Sequence, residues 1–227
     1  MEERHHLPAP APECCPAAGC QDLGRMLGGL AQETGNRSRI MLEAARLFTR
    51  KGFAATSVRE IVTAAGVTKP TLYYYFKSKD HLFLSIMDFA LASYLQTLDM
   101  GIAAPGDARA RVQAFMCSIH DLLANNVDIL RFVHAAFYGP EESTPRYDLQ
   151  ATHEQLHAKL GQLLDGLVAE GALDPADVPA LATLVHGLIE AIQCQLMKLY
   201  IPSPTLEHVL HCVDILLDGA ASRVKSR

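Results

Sequence analysis

From Arg37 to the C-terminal end, apolar residues recur at helical spacing, and nowhere do they settle into sustained alternation. Ile40, Ala44, Leu47 and Phe48 fall at i, i+4, i+7 and i+8, one stripe on a helix that stops at Lys51-Gly52 with the expected cation and glycine. Thr56 or Ser57 caps a second helix. Glu60 stands three residues after Ser57 in a capping-box pattern, and Val58, Ile61, Val62 and Ala65 line the inner face. Gly66 breaks this helix, and the turn needs a residue that tolerates positive φ. Val67 and Thr68 open a short third helix with Pro70 in its first turn, where a missing N–H costs nothing, and Leu72 and Phe76 face inward. Ser78 and Asp80 open a long fourth helix with Leu82, Ile86, Phe89 and Leu95 as core positions. Five more helical patterns follow at about 107–123, 126–138, 146–170, 175–199 and 205–222, separated by Gly139-Pro140, Asp174-Pro175 and Pro202-Ser203-Pro204. The expected fold class is all-α, with about nine helices and no internal repeat.

The segment before this pattern, residues 1–35, holds Pro8, Pro10, Pro12 and Pro16 and reads as a mobile tail with a short helical turn near 23–30. It has no continuous apolar core of the kind a secretory signal carries, and no run of 18 apolar residues occurs in the chain, so a cytoplasmic protein without a membrane span is expected. Cys117, Cys194 and Cys212 stand alone in apolar patterns and read as small buried hydrophobes.

Charge alters the picture once it is resolved along the chain. The net charge of −5 speaks against a nucleic-acid partner, since phosphate binding needs positive charge. Residues 36–80, however, hold nine bases against three acids, a net +6, whereas residues 81–227 are net −8 and the tail is net −3. A small basic module is fused to a larger acidic one, and the expected domains are a tail (1–35), a helix-turn-helix unit (36–80) and a helical body (81–227).

Within the basic module, two short helices joined by Ala65-Gly66-Val67 form a helix-turn-helix pattern. The second begins Thr68-Lys69-Pro70-Thr71, continues with three tyrosines and ends near Lys77 and Lys79. Short polar groups at a helix start suit base edges in the major groove, while hydroxyls and cations around it suit phosphates. The run TSVREIVTAAGVTKPTLYYYFKSKDHLF resembles the DNA-binding module of tetracycline-repressor-like (TetR/AcrR) transcriptional regulators, over about residues 37–85. The resemblance implies a homodimer on an operator with two half-sites, a small-molecule pocket in the C-terminal body, and a four-helix bundle formed by the last two helices of each copy. It also implies that Arg59, Thr68, Lys69, Pro70 and Thr71 read bases or nearby phosphates, with Pro70 standing where glycine is frequent. Thr56, Ser57, Tyr73, Tyr75 and Lys79 match phosphate-gripping positions; Tyr74 and Lys77 are further candidate contacts.

The helices from about 82 to 199 would hold the effector pocket, and polar or aromatic residues in apolar stretches are its candidates: His120, His134, Phe137, Tyr138, His153 and His186. Their surroundings favour a hydrophobic or aromatic effector. His153-Glu154-Gln155-Leu156-His157 spells H-E-x-x-H, which sets two imidazoles on one helix face as zinc ligands with a glutamate as base. Glu190 or His186 could complete it, so a metal-responsive regulator or a zinc-dependent hydrolase stands as the alternative. His5, His6, Cys14, Cys15 and Cys20 form a second string, whose spacing fits no standard zinc knuckle. No phosphate loop, G-x-S-x-G elbow or nucleotide fingerprint is present, so no enzyme and no cofactor are expected. Val185, Leu188, Ile189, Ile192 and Leu196, with Val209, Val213, Leu216 and Leu217, form two stripes that serve as core or interface.

Overall fold

The computed structural model describes residues 35–139, 144–198 and 205–225, so the expected tail and its cysteine and histidine string lie outside the described residues. The described chain is α-helical: α1 (Asn36–Lys51), α2 (Val58–Ala64), α3 (Lys69–Tyr75), α4 (Lys79–Ala103), α5 (Ala108–Asn125), α6 (Val127–Tyr138), α7 (Leu149–Ala169), α8 (Val178–Met197) and α9 (Leu206–Lys225). A 3-10 turn, Pro175–Asp177, leads into α8. No strand occurs among the described residues.

Local sequence chemistry explains the ends of the first four helices. Gly52, at φ +85°, stops α1 and donates its N–H to Phe48 O. The Ser57–Glu60 capping box is fully formed at α2: Glu60 N donates to Ser57 Oγ and Ser57 N donates to Glu60 Oε2. The Lys51 ammonium, then the Ser57 N–H and hydroxyl, donate to the Glu60 carboxyl and hold it down at about 2. Gly66 takes φ +62°, and Thr68 and Ser78 cap α3 and α4 with their hydroxyls.

Two hydrophobic clusters organise the packing. The first joins Ile40, Met41, Leu47 and Phe48 of α1 to Ile61 and Val62 of α2, Leu72 of α3, the adjoining Phe76, and Leu82, Phe83, Ile86 and Met87 of α4. Ile129 and Phe132 of α6 complete it. Phe48, Phe53, Phe83 and Phe132 form its aromatic centre, with ring centroids 4.9 to 6.0 Å apart. At its rim, Arg46 Nε donates to Asp128 Oδ2 at 2.7 Å, linking α1 to α6. The second cluster gathers Leu98 of α4 with α5, α7, α8 and α9. Leu98, not the expected Leu95, is the fully buried position there: Leu95 is half-buried, while Gly101, three residues after Leu98, lies close against Phe115 of α5. The expected domain boundary at 80/81 falls in the first turn of α4, which runs unbroken through both clusters.

The α8 region departs from expectation, since Pro175–Met197 is long and apolar enough by composition to cross a membrane. In the fold it is a bundle helix with Leu181, Val185, Ile189 and Ile192 buried against the second cluster. Cys117 is buried as expected, whereas Cys194 and Cys212 are half-buried free thiols.

Candidate nucleic-acid interface and cavity

Helix α3 divides its residues sharply between the inside and the outside. Leu72 and Phe76 are buried, while Lys69, Pro70, Tyr73 and Tyr74 are exposed, Tyr74 to 81%. Thr68 accepts the Thr71 N–H at 3.3 Å, and the two hydroxyls lie 2.8 Å apart. Tyr75 is half-buried and meets Tyr74 edge-on at 4.9 Å. Ser57 and Arg59 at the start of α2 and Lys77 beyond α3 are exposed. Arg59, Lys69 and Lys77 make no ion pair among the described residues. Uncompensated cations, hydroxyls and two phenol rings thus share the outside of one helix-turn-helix.

Two of the expected phosphate-gripping side chains are otherwise engaged. Thr56 is only 1% exposed, and its hydroxyl donates to Gly52 O at 2.8 Å, because the turn between α1 and α2 folds over it. Lys79 is half-buried: its Nζ donates to Phe53 O at 2.8 Å and Thr56 O at 2.9 Å and sits 4.1 Å from the centre of the Phe53 ring. This ammonium holds the α1–α2 turn against the start of α4.

A cavity of about 260 Å³ opens among α4, α5, α6, α7 and α8. Apolar side chains such as Phe89, Leu123, Ile129, Val133 and Leu156 form most of its wall. Of the expected pocket residues, His134, Phe137, Tyr138, His153 and His186 line it; His120 does not, and its Nδ1 lies 3.2 Å from Asp121 Oδ1.

The polar end of the cavity is concentrated. His153 and His157, one turn apart on α7, have ring centroids 4.3 Å apart, and His186 of α8 lies 5.6 Å and 5.1 Å from them. One ligand atom from each of these three rings lies within 4.8 Å of the other two. Burial, then the neighbouring imidazoles, push the His186 ring below its ordinary range, and burial with His153 does the same to His157. His186 Nε2 is 3.7 Å from Glu190 Oε1, while its Nδ1 is buried without a hydrogen-bond partner. Burial raises Glu190 above the usual carboxylate range even though Gln193 donates to it at 3.3 Å. Glu154, the general base of the hydrolase alternative, is exposed, accepts from Gln150 at 3.0 Å and does not line the cavity.

Sequence reasoning missed two features. Tyr94 lines the cavity with a buried, unpartnered hydroxyl, and as a lone phenol in the apolar middle of α4 it carried the same mark as the chosen candidates. The other is a shallow apolar groove between α8 and α9 lined by Leu184, Gly187, Leu188, Cys212, Ile215 and Leu216, of which only Leu188 and Leu216 were in the stripes read as core or interface. Leu184 is 50% and Ile215 57% exposed. Leu184 and Leu188 at i, i+4, and Cys212, Ile215 and Leu216 at i, i+3, i+4, form second stripes beside the core-facing ones.

Comparison with known proteins follows the same division of the chain. The family described as bacterial regulatory proteins, tetR family, matches residues 40–86, which run from α1 into α4. The transcriptional repressor NicS of Pseudomonas putida is 29% identical over 157 residues, 66% of each chain. Across the curated relatives the matched stretch spans from 18% to 71% of the relative's own length. Among solved structures, the fatty acid degradation regulator FadR from Bacillus halodurans aligns with a TM-score of 0.66 at 18% identity, over 82% of this chain and 96% of its own. AibR, solved in complex with isovaleryl coenzyme A and operator DNA, aligns with a TM-score of 0.59 at 20% identity, over 81% and 99%. A matching helix-turn-helix, regulator relatives and a shared all-helical fold agree: residues 40–86 carry the DNA-binding module of the tetR family, and the described chain shares the fold of the TetR-family regulators it aligns with.

Proposed function

We propose that this chain is a homodimeric, ligand-responsive repressor that binds operator DNA through the exposed face of α2 and α3 and is released by a small molecule in the cavity. The DNA-facing set is Ser57, Arg59, Thr68, Lys69, Pro70, Thr71, Tyr73, Tyr74 and Lys77, with Tyr75 at its edge. Thr56 and Lys79 shape the turn behind them and act through it. An acidic body keeps clear of the duplex, and the basic head approaches it.

One observation carries the reading: α4 and α6 each belong to the core of the head and to the wall of the cavity. Ile129 and Met87 lie in the head cluster and also line the cavity, and Phe132 in that cluster is followed by Val133 and His134 in the wall. A ligand that displaces α6 therefore displaces the packing under α1, and two such heads fixed in one dimer change their separation. The coupling this requires is of the ordinary allosteric size, about 1–3 kcal/mol. The occupant suited to this lining has an apolar body and one polar end. The AibR structure, which carries an acyl thioester and operator DNA, supports the idea that this fold accommodates both partners. The exposed groove between α8 and α9 supports dimerisation, since an isologous bundle of two helices from each copy would cover it.

Footprinting on the DNA upstream of the chain's own gene, followed by anisotropy on the protected fragment, tests the proposal. Lys69→Ala, Tyr73→Ala and Lys77→Ala each weaken operator binding. Wild-type affinity in all three would refute the assignment of this face.

A further inference from the structure

We propose that His153, His157 and His186 bind a divalent transition-metal ion of the zinc class on the wall of the cavity, with one coordination position left open to the cavity. Three neutral imidazoles are the donor set such an ion favours, and hard oxygen-seeking cations such as magnesium do not compete well for it. The three ligand atoms lie within 4.8 Å of one another. A tetrahedral ion at about 2.0–2.1 Å from each nitrogen needs them about 3.3–3.4 Å apart, so the rings would close by up to about 1.5 Å around the ion. His153 and His157 stand at i and i+4 on one face of α7, and His186 reaches them from α8, so the ion would tie two helices together.

The surroundings of His186 match those of a metal ligand. Its Nε2 faces the Glu190 carboxylate at 3.7 Å, and its Nδ1 is buried with no partner. A metal-bound imidazole divides its nitrogens in this way, one on the ion and one toward a carboxylate that orients the ring. His153 and His186 both line the cavity, so the fourth position is filled by water or by the donor atom of a bound ligand. Glu154, displaced to the exposed side of α7, is in no position to act on that water, which makes the site a binding centre.

The ion's part in ligand response rests on the function proposed above; its binding does not. The test uses the full chain, stripped with a chelator and titrated with Zn2+ by calorimetry and with Co2+ by visible absorption. One ion per protomer is expected, and the Co2+ complex should show intense four-coordinate d–d bands without thiolate charge transfer. Glu190→Gln weakens binding by about 10- to 100-fold, and His157→Gln and His186→Gln by at least as much, while Glu154→Gln leaves it unchanged. No stoichiometric binding would overturn the proposal, as would wild-type affinity in the His157→Gln/His186→Gln double variant. A thiolate band in the wild-type Co2+ spectrum would place the ion on cysteines and also overturn it, whatever the variants do. Operator binding is measured separately on the same preparations, so a chain that binds metal but no DNA refutes only the regulator reading.

Discussion

Replacing Lys79 with methionine distinguishes a cation that grips phosphate from one that holds the fold. The substitution keeps most of the side-chain volume and removes the charge. Two hydrogen bonds from an ammonium to Phe53 O and Thr56 O disappear, along with the contact to the Phe53 ring. Hydrogen bonds to a charged group contribute about 1.5–3 kcal/mol each, but water entering this part-buried site in place of the ammonium recovers part of that. With about 0.5–1 kcal/mol for the cation on the ring, the expected loss is about 2–4 kcal/mol. For a chain of this size that lowers Tm by roughly 5–12 °C, read by circular dichroism at fixed protomer concentration. Operator affinity then falls because the head is less often folded, but its dependence on salt stays put. Lys69→Ala behaves in the opposite way. It leaves Tm unchanged and reduces the slope of log K against log salt by about 0.9 per head, or about 1.8 for a dimer. A Lys79→Met protein with wild-type Tm and a slope reduced by about 1.8 would refute the clamp and restore Lys79 to the interface.

Other substitutions test the remaining parts. Glu60 is held near 2 in the fold against an ordinary 4.5, so its contribution is present above pH 4.5 and is lost as the pH falls toward 2. Thermal melts of Glu60→Gln should therefore be flatter than wild type across that window. His186 is held below 6.5, so the folded chain binds fewer protons than the unfolded one, and stability declines as the pH drops below 6.5. Because Glu190 is raised and acts with opposite sign at lower pH, the quantity to measure is the difference from His186→Gln, whose Tm should fall less between pH 7.5 and pH 6. Leu184→Glu places a charge in the exposed groove and should convert a dimer to a monomer in light scattering, with loss of operator binding; an unchanged mass would refute the interface.

The helical frame was legible because its signals are local. Ser57 with Glu60, Thr68 before Pro70, and glycines at 52 and 66 each specify a helix end within a few residues, and each appears in the structure as read. What the chain did not disclose depends on distant partners. Lys79 reads as a free cation until the α1–α2 turn brings the Phe53 and Thr56 carbonyls to it. His120 and His134 look alike in sequence, yet only His134 reaches the cavity, since the facing of each depends on how five helices pack. The three-imidazole cluster was visible as His153 and His157 on one helix face with Glu190 or His186 to complete it, but which of the two does so was open. Its third member sits 29 residues beyond His157, and only the packing of α8 against α7 brings it there.

For the ligand-responsive regulator proposed above, the double duty of α4 and α6 limits how its ligand can change. Substitutions at Met87 or Ile129 alter the cavity and the seat of the DNA-binding head together, so new chemistry at those positions is recruited only with a matching repair of the head. Leu123 on α5, Leu156 on α7 and Gln193 on α8 line the cavity without belonging to the head cluster or to the proposed metal site. Ligand preference is free to drift at these positions. A library aimed at a new inducer should vary α5, α7 and α8 and leave α4 and α6 alone.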